Sequence, residues 1–471
     1  MADRLSPLDV HFLYLEEPET PMHVGGVEVF QAPELGFDYD RLVRLVRERI
    51  AYVPRYRQRI RWVPGRLANP VWVDDERFDV TYHIRRSALP RPGTDRQLYE
   101  LVARIMSRPL DRSRPLWEMY LIEGLEGDRF AILTKSHEAM VDGLSAVDIG
   151  QVILDATPEP RQVAPDAWRP AAEPTRLELV AGALSDTIRR PATALDTVRE
   201  GVGDVKETLV GVGRQAVGVV TATLNAARPT QSSPLLVELG EHRRFATATT
   251  ELEDYKRVRQ AHGGTINDVA LAVVTGGLRS WLQTRGLALD SRREVKALVP
   301  VSVHGEGDGY GEQRVAAFTC DLPVGEPDPV VRLQRIAYEM GQHKESGRML
   351  GARAIVGLVG FAPPTLHALG TRVGAEFGRR VYSLVVTNVP GPQFPLYVAG
   401  ARMLASYPVL PLGKGQAVTI GLTSYDGSVY FGLNADRDGM PDVEVLAHCL
   451  EDALDELVET TTTHGRHGTV G

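Results

Sequence analysis

A histidine and a glutamate stand side by side at His137 and Glu138, and an Asp-Gly pair follows at Asp142 and Gly143. Imidazole and carboxylate groups are the side chains that most often take a proton from a hydroxyl near neutral pH. The stretch KSHEAMVDGLS (135–145) is therefore the first place to look for a general base. The run ahead of it, RFAILTKSHE (129–138), alternates like a strand. If that strand stays regular to its end, Ile132, Thr134, Ser136 and Glu138 share one face, and Leu133, Lys135 and His137 take the other. A titratable group at a strand end, followed by a glycine turn, is well placed to face a cleft. The same letters also fit a turn that happens to contain a structural histidine, and the local pattern leaves both readings open.

Other chemistries find little support. No Gly-x-Ser-x-Gly elbow, P-loop or His-Glu-x-x-His occurs. GVGRQAVG (211–218) resembles part of a dinucleotide fingerprint but lies in a helical stretch rather than after a strand. RYRQRIR (55–61) reads as a solvated charge run, with a contact to a nucleotide phosphate as the sharper alternative. His11, His23 and His262 have no metal-ligand spacing, and the expectation is no metal and no cofactor. Cys320 and Cys449 are the only cysteines, which fits a reducing compartment and excludes a disulfide framework. A net charge of −8 argues against nucleic acid as partner. The opening MADRLSPLDV lacks the apolar core of a signal peptide, and no uncharged apolar run reaches the ~18 residues of a membrane span. A cytoplasmic protein is expected, with peripheral contact to a membrane or lipid-body surface left open.

At 471 residues, 43% hydrophobic and 24% charged, the chain suits two soluble α/β domains. Residues 1–160 form a first unit. MHVGGVEVF (22–30), PLWEMYLIEGL (115–125) and RFAILTKSHE read as strands, the last two joined at Gly127-Asp128. YDRLVRLVRERI (39–50) and RQLYELVARIMSRPL (96–110) read as amphipathic helices. Residues 161–238 are a linker, rich in Pro and Ala and then helical. Its stripe of Val202, Val205, Leu209, Val212, Ala216, Val219, Thr223 and Ala227 suits packing on the domains or, alternatively, an interfacial helix on lipid. Residues 239–461 form a second unit. A helix over 265–286 starts at Thr265, and an Asp426-Gly427 hairpin joins two strands within 418–436. Residues 462–471 read as a disordered tail.

The 135–145 stretch resembles the His-His-x-x-x-Asp-Gly motif of the bacterial wax ester synthase/diacylglycerol acyltransferase family. LSPLDVHFLYLEEPETPMHVGG resembles that family's opening. PLDRSRPLWEMYLIEGL carries its Pro-Leu-Trp block at Pro115, Leu116 and Trp117. TINDVALAVVTGGLR carries its Asn-Asp block at Asn267 and Asp268, and TNVPGP (387–392) its Asn-Val-Pro-Gly-Pro block. The resemblance spans nearly the whole chain and implies two chloramphenicol-acetyltransferase-like halves with a tunnel at their interface. It implies acyl-CoA as substrate, with diacylglycerol or a long-chain alcohol as acceptor, and direct attack of the acceptor hydroxyl on the thioester. Under it the second motif position is the base, Asp142 is architectural, and Asn267 and Asp268 support the tunnel from the other half. Here that second position is Glu138 rather than histidine. Three readings follow: Glu138 is the base with its pKa raised by an apolar tunnel; the chain is a weakly active or non-catalytic binder of acyl-CoA or neutral lipid; or the residue is engineered. A transferase with a polar acceptor is a further alternative.

Overall fold

The computed structural model describes residues 3–34, 36–140, 149–164, 166–189, 233–303, 314–345 and 382–464. Along the first half run β1 (Asp3–Arg4), α1 (Pro7–Leu15), β2 (His23–Gln31), α2 (Tyr39–Arg49), β3 (Gln58–Arg61), β4 (Val71–Asp74), β5 (Ile84–Ala88), α3 (Asp95–Met106), β6 (Trp117–Leu125) and β7 (Arg129–His137). The linker contributes α4 (Arg176–Arg189). The second half holds β8 (Arg243–Glu251), α5 (Leu252–His262), α6 (Ile266–Thr284), β9 (Val295–Val303), β10 (Arg314–Leu322), α7 (Pro329–Glu345) and β11 (Leu384–Pro390). It continues through β12 (Tyr397–Val398), β13 (Ala401–Val409), β14 (Val418–Tyr425), β15 (Ser428–Asp436) and α8 (Val443–His464).

Local chemistry sets these boundaries. Thr94 caps α3 in a capping box with Gln97, and Leu98, Leu101, Val102 and Ile105 turn one stripe of the helix into the core. The β6–β7 hairpin turns through Gly127 and Asp128 at φ 73° and 54°, and β14–β15 turns through Asp426 and Gly427 at 45° and 90°. Gly25 lies where a Cβ would stand 2.0 Å from the Thr134 carbonyl oxygen, so only glycine lets β2 lie flush on β7.

Two six-stranded sheets result, ordered β12-β13-β2-β7-β6-β5 and β10-β9-β11-β14-β15-β8. The first contains a segment that chain order assigns to the second half: β13 runs antiparallel to β2, from Met403 opposite Phe30 to Val409 opposite Gly25. The halves are interleaved rather than merely apposed. A buried ion pair reinforces the crossing. Arg49 donates to Asp155 at 2.7 Å and to the carbonyls of Val152 and Ile153, while Asp155 and Tyr397 exchange backbone hydrogen bonds of 2.8 Å.

The basic run 55–61 has a different fate from the one expected. It forms the end of one helical turn and β3, in a small sheet ordered β1-β4-β3. The start of the linker lies across it: Arg57 pairs with Asp166 and stacks over Trp168, and Glu173 takes Arg59 at 2.7 Å and Arg61 at 3.0 Å. It is neither a solvated face nor a free phosphate cradle, because acids more than a hundred residues downstream neutralise it.

Candidate active site

β7 carries the motif to one end of the first sheet, and the strand stops at His137. The His137 amide donates to the Leu116 carbonyl at 3.0 Å, and the Glu138 amide to the Met22 carbonyl at 2.9 Å. Glu138 then opens a single 3-10 turn, Glu138–Met140. The regular alternation on which opposite faces for His137 and Glu138 were expected therefore ends one residue too early to apply. Asp142 and Gly143 lie outside the described residues.

His137 is fully buried and committed to its surroundings. Its Nδ1 accepts the Ala139 amide at 2.9 Å, so that nitrogen holds its lone pair and the ring proton sits on Nε2. Nε2 lies 3.6 Å from Oε2 of Glu16. Glu16 caps the C-terminus of α1 and forms the centre of a small charged cluster. Arg112 grips its Oε2, with Nε at 2.8 Å, and Nε2 of His23 stands 3.1 Å from its Oε1. His23 and His137 face each other across the β2–β7 ladder. Burial alone would raise the Glu16 carboxyl, but the imidazoles of His137 and His23 and the charge of Arg112 outweigh it and hold the group far below the usual carboxylate range. Burial pushes the His23 imidazole down to about 4, with Lys135 and His137 adding to the push and Glu16 opposing it. The cluster is thus a carboxylate held between the two imidazoles and an arginine.

Glu138 contrasts with all of these. It lies deep in the protein yet keeps part of its surface exposed. Among the described residues its carboxyl has no hydrogen-bond or ion-pair partner, and burial, with no compensating charge, pushes it up to about 7. A carboxyl with that value is ionised about half the time at neutral pH and is at least as basic as an ordinary imidazole.

The remaining sequence candidates have structural partners. Leu116 and Trp117 have no exposed surface: Trp117 stacks on His83 with ring centres 4.6 Å apart, and its Nε1 donates to the Tyr56 carbonyl at 2.8 Å. The Pro115-Leu116-Trp117 block is buried in the core, and it holds the end of β7 through the Leu116 carbonyl. Asp268 is buried and closes the capping box at the start of α6 with Thr265. Asn267 accepts from Asn388 at 3.2 Å, which ties the Asn-Asp block to the Asn-Val-Pro-Gly-Pro block on β11.

A cleft of about 1460 Å3 opens between the halves, bounded by α3, the start of β8 and the start of α8. Its walls include Arg104, Arg108, Arg243, Arg244 and His448, and Glu16 forms part of its inner wall. Arg243 closes the bottom from the second half: its amide donates to Ser107 Oγ at 3.2 Å, and its guanidinium donates to the Glu19 carbonyl. Arg104, on the exposed side of α3, and Arg108, just past its end, have no ion pair to a described residue. Neither His137 nor Glu138 is in the cleft wall; Glu16 is the residue common to the cleft and the motif. Glu16 and His23, which complete the cluster, were missed in the sequence because nothing local marks them as partners of residues more than a hundred positions away.

Comparison with known proteins places this architecture. Residues 5–270 match the wax ester synthase/diacylglycerol acyltransferase catalytic domain and residues 313–458 the C-terminal domain of the same family. The chain belongs to the wax ester synthase/diacylglycerol acyltransferase family. It is 35% identical over 463 residues, 97% of this chain and 98% of the relative, to a probable diacylglycerol O-acyltransferase (tgs2) of Mycobacterium tuberculosis. A second from that organism (tgs3) is 44% identical over 262 residues, 55% of this chain and 96% of its own. The wax ester synthase/diacylglycerol acyltransferase of Marinobacter aquaeolei superposes with a TM-score of 0.70 at 29% identity, covering 98% of this chain and all of that one. The first condensation domain of the CDA synthetase shares the fold at 14% identity and a TM-score of 0.55, covering 98% and 97%.

Proposed function

We infer that this protein is an acyl-CoA-dependent O-acyltransferase that moves a fatty acyl group to diacylglycerol or a long-chain alcohol. Family membership over both domains supports the reaction, and the carboxyl of Glu138 at the motif's second position, partly exposed and without a partner among the described residues, is the single observation that carries the mechanism. In this reading Glu138 takes the proton of the acceptor hydroxyl as its oxygen attacks the thioester carbonyl carbon. The tetrahedral intermediate collapses, the C–S bond breaks, and the CoA thiolate leaves and recovers the proton from Glu138. Glu138 is regenerated and CoA departs as the thiol, so no cofactor and no net proton are needed. His137 does not suit the role: its one basic nitrogen already accepts the Ala139 amide. Pro115, Leu116 and Trp117 act by holding β7, and Asn267 and Asp268 by fixing the start of α6.

The cleft supports acyl-CoA as donor. Its volume accommodates a nucleotide-sized group, and its arginines present donors to phosphates. Peripheral association with a membrane or lipid-body surface is a further part of the proposal. The amphipathic stripe of residues 202–227 supports it, and those residues lie outside the described set. Among the described residues no helix is long and apolar enough to cross a membrane.

Turnover of labelled acyl-CoA against a panel of acceptors tests the assignment. Glu138→Gln keeps the shape but accepts no proton, and should lose about 10²–10⁴-fold in kcat. Glu138→His restores an imidazole and should retain activity. Wild-type kcat should rise with pH through about 7, because the base works only when ionised. Binding of acyl-CoA with equal silence of wild type and Glu138→Gln would mark a non-catalytic binder. Turnover that survives Glu138→Gln would remove Glu138 as base.

A further inference from the structure

The motif's histidine has a proton assignment that depends on a residue far away in sequence. The Ala139 amide can donate to His137 Nδ1 only while that nitrogen is unprotonated, so the ring proton must sit on Nε2. A neutral imidazole in water favours neither arrangement strongly, and its neighbours decide. The neighbour of Nε2 is Oε2 of Glu16, 3.6 Å away and buried with it. Arg112 and His23 hold that carboxylate from its other sides. No other carboxylate is paired with His137 among the described residues.

We propose that Glu16 is the positioning residue of this site: its carboxylate keeps the His137 proton on Nε2, which leaves Nδ1 to hold the turn that presents Glu138. The chain of contacts is short and directional. Arg112 fixes Glu16, Glu16 selects the His137 tautomer, His137 Nδ1 binds the Ala139 amide, and that amide belongs to the turn opened by Glu138. Were the proton on Nδ1, two N–H groups would point at each other inside a buried site. The turn would then have to move by the fraction of an ångström that separates a working base from an idle one. Because Glu16 also forms part of the cleft wall, the same carboxylate repels an anionic group from the inner end of the cleft and favours its binding nearer Arg104 and Arg108.

The importance of this tautomer for turnover rests on the reading of Glu138 as base; the tautomer itself does not. Histidine 15N NMR on the full-length protein, with the His137 signals identified by their loss in His137→Asn, reads it directly. The wild type should show a protonated Nε2 and a bare Nδ1 at His137. Arg112 and the His137 ring share Oε2, so glutamine would keep an acceptor there; Glu16→Leu removes it, and the pattern should invert or average. kcat should fall about 10–100-fold while the KM for acyl-CoA stays within about twofold, and Glu16→Asp, which keeps the charge, should recover part of the loss. A wild-type His137 with its proton on Nδ1 overturns the proposal without any variant, as does a Glu16→Leu protein with an unchanged tautomer. If the tautomer inverts as expected but Glu138→Gln is fully active, Glu16 keeps its effect on the ring and the base assignment alone falls.

Discussion

Glu138 is a carboxyl that the fold forces to hold a proton, and this has a consequence for stability that needs no substrate. Its pKa moves from the ordinary 4.5 to about 7 through burial alone. Below pH 4.5 both folded and unfolded chains carry the proton, and the group has no effect. Between 4.5 and 7 the folded chain retains a proton that the unfolded chain releases, so stability falls as pH rises. Above 7 the full penalty applies, and at about 1.4 kcal/mol per pH unit it comes to about 3 kcal/mol. Part of the side chain is open, so this figure is a ceiling. Glutamine matches the protonated acid in shape and never ionises. Glu138→Gln should therefore equal the wild type near pH 4 and exceed it by up to about 3 kcal/mol at pH 8. Denaturant titration of both proteins at several pH values measures this, and the other titrating groups, His23 included, cancel in the difference. A gap that stays constant with pH, or that narrows above pH 6, would refute the argument that Glu138 is buried without a partner. Such a gain would mark Glu138 as a residue kept at a cost to folding, in keeping with the role proposed for it.

Other perturbations have defined outcomes. Asp155→Asn keeps the shape but leaves Arg49 without its counter-charge in a buried position, and should lower the unfolding free energy by about 3–5 kcal/mol in denaturant titration. Gly25→Ala puts a methyl group 2.0 Å from the Thr134 carbonyl oxygen. It should destabilise by about 1–3 kcal/mol or more and reduce turnover as well, since β7 carries the motif. Val212→Asp interrupts the apolar stripe of 202–227, and flotation with anionic liposomes should show the wild type associated and the variant released; equal behaviour of two well-folded proteins would leave that stripe to packing.

Much of this architecture is legible in the sequence where the signal is local. The two hairpins announce themselves by Gly127-Asp128 and Asp426-Gly427 between alternating runs, and the start of α6 by Thr265. What is not legible depends on partners distant along the chain. The arginines of 55–61 look solvated because Asp166 and Glu173 are out of view. Trp117 looks like a substrate contact until His83 and Tyr56 close around it. The end of β7 also turns on a single residue. Alternation predicts opposite faces for His137 and Glu138, and the 3-10 turn starting at Glu138 removes the premise. Within the site, Glu138 and His137 can be found from the motif, whereas Glu16 requires the three-dimensional meeting of α1, β2 and β7.

The crossing of β13 into the first sheet also governs how the chain is made. β2 ends at Gln31 and its outer neighbour begins at Ala401. At about 5–20 residues per second of synthesis, the edge of β2 waits roughly 20–70 s for its partner. During that time a row of amides and carbonyls, flanked by Val27, Val29 and Phe30, is open to any other extended segment that emerges from the same or a neighbouring ribosome. The nascent first half is thus a natural client for chaperones, and premature termination anywhere before residue 401 leaves a fragment with an adhesive border rather than a smaller folded protein.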